Sequence, residues 1–106
     1  MERKTETNDP ILGRHQEVVM TKAKLLDIIA LHTREVLPGL DHHEFVAADR
    51  LHDLGANSVD RAEIAMLVQE SVGLSIPRVE LFGPKNIGEL ADLFLQRLDN
   101  RMVDAI

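Results

Sequence analysis

The chain has 106 residues, 44% hydrophobic and 28% charged, which suits one small domain with a single core. Eighteen acidic against twelve basic residues give a net charge of −6, which repels nucleic-acid phosphates and anionic membranes and favours basic protein surfaces as partners. Without cysteine there are no disulfides, zinc thiolates or thiol nucleophiles, and with three phenylalanines as the only aromatics there is little for base or sugar stacking. No apolar run approaches the ~20 residues of a membrane span, and the first residues lack a secretory apolar block, so a cytoplasmic monomer is expected.

Residues 1–17 are polar, carry an Asn8-Asp9-Pro10 turn step and show no sustained periodicity, so they read as a mobile arm before a domain over 18–98, with a tail over 99–106. Over 18–37, Leu25, Ile28, Ile29, His32 and Val36 recur at helical spacing until Pro38-Gly39 ends the pattern. Residues 38–57 have turn signals at both ends and apolar anchors at Leu40, Phe45, Val46, Leu51 and Leu54. A long connection of this kind predicts a functional loop, with a short helical turn near 46–51.

A second helix is predicted over 58–72, with Ala62, Ala65, Val68 and Val72 on one stripe, Val59, Glu63 and Met66 beside it, and Gly73 as its stop. Residues 78–82 allow about one helical turn between Pro77 and Gly83-Pro84. The last helix is predicted over 86–98, with Asn86 as N-cap, Glu89 at N3, and Ile87, Leu90, Ala91, Phe94 and Leu98 inward. No strand pattern survives, and the sum is an all-α, four-helix bundle of three longer helices and one short, with a long loop between the first two.

The chemistry concentrates in the stretch LGANSVDRAE, residues 54–63. With Asn57 as N-cap and Asp60 at N3, cap and carboxylate answer each other, which leaves Ser58 at N1 with an unclaimed hydroxyl. Serine is a common helix-starting residue, so its position alone proves nothing. A helix N-terminus does, however, suit a phosphate ester through its partial positive charge and free amides. Asp60, Glu63 and Glu70, interrupted by Arg61, give the same helix a mostly acidic outer surface that fits basic docking patches.

Residues 53–63, with the Ile76-Pro77 step ahead of the short third helix, resemble the prosthetic-group attachment motif of acyl carrier proteins. In that family a serine opening the second helix bears 4′-phosphopantetheine, and the likeness spans about residues 25–98. The usual Asp-Ser-Leu stands here as Asn57-Ser58-Val59, and Arg61 interrupts a normally acidic face. The runs 57–63, 76–81 and 85–90 further resemble the discrete donor carriers of polyketide β-branching cassettes. The resemblance implies that the chain catalyses nothing itself. A phosphopantetheinyl transferase would move the arm from coenzyme A to Ser58, and an acyltransferase would load it. A decarboxylating ketosynthase-like enzyme would convert malonyl to acetyl, and an HMG-synthase-like enzyme would receive the acetyl group. Val59, Asp60, Arg61, Glu63 and Met66 of the second helix, with Arg78, Glu80 and Leu81 of the third, are the expected docking residues.

Other readings compete with this one. His42, His43 and His52 among Asp41, Glu44, Asp49 and Asp53 invite a metal site or a metal-dependent hydrolase, but their spacing matches no closed ligand set and no metal is expected. His32 on the apolar stripe reads as a satisfied boundary histidine. A fatty-acid, peptidyl or general polyketide carrier would share the fold, and an unmodified helical interaction module would need no serine at the junction.

Overall fold

The computed structural model describes residues 19–104, and the surroundings of side chains for residues 19–100. The proposed arm over 1–17, with Val18, lies outside the described residues. Four helices follow in order: α1 (Lys22–Val36), α2 (Ser58–Val72), α3 (Arg78–Leu81) and α4 (Ile87–Asp104). There is no strand among the described residues. α1 packs against both α2 and α4.

The core is aliphatic around one ring: Leu25 and Ile29 from α1, Ile64 and Val68 from α2, Ile76 from the connection, and Ile87, Leu90, Ala91 and Phe94 from α4. Its burial is the main stabilising term, since short helices of this kind are marginal alone. On α4, Ile87, Leu90, Ala91 and Phe94 are buried where the periodicity put them, whereas Leu98 is only half-buried. On α1 the inward residues also include Ala30 and Thr33, the latter fully buried with its Oγ1 donating to Ile29 O at 2.7 Å. That bond satisfies a hydroxyl the sequence pattern would have sent to solvent.

On α2 the stripe needs correcting. Ile64 is fully buried beside Ala65 and Val68, whereas Ala62 and Val72 are only half-buried. α4 continues to Asp104, six residues past Leu98, so residues 99–104, read as tail, are helical. The helical turn expected near 46–51 falls a few residues later: Asp49 N donates to Val46 O (2.9 Å) in a separate turn, and Leu54 N donates to Arg50 O (3.2 Å), four residues back, before Ala56 N closes on Leu51 O (3.0 Å).

Those turns are pinned from three sides. Arg34 reaches out of α1 to Leu40 O (3.4 Å) and His43 O (3.1 Å), and its guanidinium lies over the Phe45 ring, 4.8 Å from the centroid. Asp49 Oδ2 accepts from Val46 N and from His43 Nε2, both at 2.9 Å. Burial alone would raise the Asp49 pKa, but the Val46 amide and the His43 ring outweigh it and hold the carboxyl below its ordinary value. Third, the first two amides of α4 donate into the loop, Ile87 N to Asp49 O at 2.9 Å and Gly88 N to Ala47 O at 2.8 Å. The helix start is thereby capped by loop carbonyls, and the loop is fixed in place by the helix.

Candidate functional site

Ser58 lies at the end of this chain of restraints. Gly55 takes φ 105°, a left-handed value that glycine adopts without the cost a side chain would add, and it turns the chain beneath α2. Ala56 follows, almost fully buried, and Asn57 is extended with φ −80° and ψ −177°. Asn57 Oδ1 accepts from Asp60 N at 2.8 Å while Asp60 Oδ2 accepts from Asn57 N at 3.2 Å, the reciprocal box expected from the sequence. Ser58 is N1, exposed, and its hydroxyl has no hydrogen-bond partner among the described residues. The amides of Ser58 and Val59 are also unclaimed.

Arg61 folds back along the helix, and its Nη1 donates to Ala56 O at 2.9 Å. The side chain braces the turn two residues ahead of Ser58, a role that spacing alone does not disclose. No carboxylate lies within ion-pair distance of it among the described residues.

Beside Ser58 a cleft of about 1070 Å³ opens between α2, α3, the start of α4 and residues 50–53. Val59, Met66, Ile76, Leu81 and Phe82 supply apolar wall, and Arg50, Arg61, Arg78 and Lys85 bring positive charge to a chain that is acidic overall. Gln69 also faces it, with Oε1 accepting from Ile76 N at 2.6 Å, which fixes the approach of the connection to α2.

The expected docking residues divide in two. Val59 is 72% and Met66 52% exposed, and Glu63 and Arg78 are exposed as well. Asp60 is half-buried and engaged in the capping box. Glu80 pairs with Arg97 of α4, and Leu81 turns inward against the core. In their place Val79 of α3, 78% exposed, and Phe82 just past its end, 57% exposed, are presented, which the sequence reading missed. The signal was available: once Leu81 anchors a single helical turn, Val79 cannot share its face.

The histidines do not converge. His43 is taken by Asp49, and no group of three or more metal-ligating side chains occurs among the described residues. His32 is bonded on both nitrogens, Nδ1 to Glu35 at 2.7 Å and Nε2 to Ser71 at 2.6 Å, and so ties α1 to the last turn of α2.

Residues 24–94 match the family model described as the phosphopantetheine attachment site. The chain belongs to the acyl carrier protein family. The carrier is 47% identical over 81 residues to the polyketide biosynthesis acyl-carrier-protein AcpK of Bacillus subtilis (strain 168), a match over 76% of this chain and 99% of the relative. It is 52% identical, with a TM-score of 0.69, to a chain in the crystal structure of the curacin biosynthetic pathway HMG synthase in complex with acetyl donor-ACP. That match covers 73% of the carrier and 99% of the other chain. The family's group is a covalently attached 4′-phosphopantetheine, and the geometry around Ser58 fits it: an exposed, unbonded hydroxyl, two free amides and a cation without a carboxylate partner.

Proposed function

We propose that Ser58 is the residue that bears the phosphopantetheine arm, and that the carrier donates acetyl, formed from malonyl, to an HMG-synthase-like enzyme for polyketide β-branching. The observation that carries the first part is the Ser58 hydroxyl, held at N1 by the Asn57–Asp60 box with no protein group competing for it. Attachment replaces the phosphoanhydride of coenzyme A by a phosphodiester on Ser58 Oγ, with the serine proton lost and adenosine 3′,5′-bisphosphate leaving. The bound group supplies a terminal thiol on which an acyl unit travels as a thioester, so a chain without cysteine can take part in thiol chemistry.

The protein's own residues hold the attachment point rigid while leaving it exposed. They do no bond-making themselves, and the carrier acts as substrate for its partners, not as a catalyst. The exposed apolar side chains Val59, Met66, Val79 and Phe82, ringed by Glu63 and Arg78, form the surface that a partner reads. The donor role is supported by the 52% identity to the chain in complex with an HMG synthase, and polyketide rather than fatty-acid work by the Bacillus relative. Among the described residues no helix is long and apolar enough to cross a membrane.

Incubation with coenzyme A and a broad-specificity phosphopantetheinyl transferase should add one pantetheine-sized mass to the intact chain and none to Ser58→Ala. A gain that persists in Ser58→Ala refutes the assignment. Presented to an HMG-synthase homologue, the acetyl-loaded carrier should turn over faster than an ordinary carrier; equal turnover leaves a general polyketide carrier.

A further inference from the structure

Arg61 is a departure from the family's acidic second helix, and its position gives it a purpose. We propose that its guanidinium is the protein's counter-ion for the phosphodiester on Ser58, so that the arm leaves the protein pinned at its root. The proposal rests on Ser58 being the attachment residue.

Ser58 and Arg61 are three apart on α2, which places their Cβ atoms about 5–6 Å from each other on one face. Helical side chains lean toward the N-terminus, so Arg61 covers the surface over the turn that holds Ser58. The bond from Nη1 to Ala56 O, 2.9 Å, shows the guanidinium folded in that direction. A guanidinium carries five N–H donors, and this bond uses one. The others have no partner among the described residues, and no carboxylate lies within ion-pair distance.

Asp60 and Glu63 do not neutralise it: Asp60 is directed at the Asn57 amide, and Glu63 makes no ion pair among the described residues. A half-buried cation, already oriented, with spare donors beside a site that receives a monoanion is the arrangement in which charge-assisted hydrogen bonds form at small ordering cost. Because Arg61 also lines the cleft between α2 and α3, a phosphate held by it starts the arm at the cleft mouth. The residue thereby biases where an unengaged arm rests.

The test uses the full chain, labelled with ¹⁵N, before and after loading. Intact mass and peptide mapping first establish loading at Ser58. On loading, the Arg61 Nε–H resonance should move more than that of any other arginine. The ³¹P resonance of the loaded protein should be displaced in Arg61→Gln, and less so in Arg61→Lys. Gln removes the charge and, two atoms shorter than the reach of Nη1, also the bond to Ala56 O, whereas Lys keeps the charge without the fork; a residue that merely braced the turn would move the ³¹P signal alike in the two variants, and a counter-ion moves it less in Arg61→Lys. Raising the salt to about 1 M, where the Debye length falls to about 3 Å, should bring the wild-type signal toward that of Arg61→Gln. Matching amide spectra of the unloaded variants check that the fold is kept. Full loading at Ser58 with an unmoved Arg61 resonance and the same ³¹P shift in wild type and Arg61→Gln overturns the inference alone. Failure to load at Ser58 overturns the attachment reading and this inference with it.

Discussion

Gly88→Ala puts the pinning of the long loop to a test of sign. Gly88 is the second residue of α4, and in a helix alanine is favoured over glycine by about 1 kcal/mol, so local propensity forecasts a more stable protein. The structure forecasts the reverse. A Cβ on residue 88 would stand 2.8 Å from Ala47 Cβ, 2.9 Å from Ala47 O and 3.3 Å from Ala47 Cα, where carbon atoms ordinarily rest about 3.5–4.0 Å apart.

Two of those three atoms belong to backbone, so relief requires the loop to withdraw by roughly half an ångström or more. Withdrawal stretches the bond from Gly88 N to Ala47 O and its neighbour from Ile87 N to Asp49 O, each worth about 1 kcal/mol net. Overpacking costs typically 1–3 kcal/mol, and subtracting the propensity gain of about 1 kcal/mol leaves a net loss of roughly 0–2 kcal/mol, which the two stretched hydrogen bonds push toward its upper end. For a domain of this size each kcal/mol moves the melting point by about 4–8 °C. Thermal denaturation followed by circular dichroism on the unloaded protein reads this directly. Ala47→Gly in the same background should restore part of the loss, because it removes the nearest of the three atoms and leaves the other two. A melting point of Gly88→Ala equal to or above wild type would refute the argument that the loop is held by close approach to α4.

The remaining predictions concern the serine junction and the loop. Asn57→Ala removes the side-chain acceptor for Asp60 N and should cost about 1 kcal/mol in chemical denaturation, whereas Asn57→Asp, which keeps the acceptor, should stay within a few tenths. The Asp49 carboxyl has a folded pKa below its ordinary value of 3.8, so its stabilising contribution is fully present above that value and is lost as the pH falls through the folded one. Urea midpoints measured across the acid range should therefore fall less steeply in Asp49→Asn than in wild type, and parallel curves would show that the Val46 and His43 bonds carry no such linkage. Ser58→Ala should keep the wild-type stability within about 0.5 kcal/mol while abolishing phosphopantetheine loading, since an exposed side chain without partners contributes little to the fold.

The four helices, their order and the serine junction were legible in the chain because each rests on local chemistry. Helical spacing of aliphatic residues, proline and glycine at the breaks, and an Asn-x-x-Asp cap all act within a few residues of sequence. The junction was the most legible part: α2 begins at Ser58, ends at Gly73 and carries the reciprocal cap as expected. Here the local preferences and the tertiary demand agree, so no long-range contact overrides them.

What the local pattern left open depends on partners far away in sequence. Ile64 escaped the predicted stripe because α2 is apolar on more than one side, and only its packing against α1 decides which side is core. Residues 46–49 do not run on into a helix, because the amides of Ile87 and Gly88 hold the Asp49 and Ala47 carbonyls at α4, some forty residues on, and the helical turn falls later, where Leu54 N donates to Arg50 O. Glu80 and Leu81 leave the docking surface to Val79 and Phe82 for the same kind of reason: Arg97 and the core hold one side of α3 and expose the other. Arg61 shows the limit most plainly. By itself the sequence determined that a cation stands one turn behind the serine; only the folded chain decided that it bends back to the Ala56 carbonyl, because a guanidinium's direction is set by the acceptors within its reach.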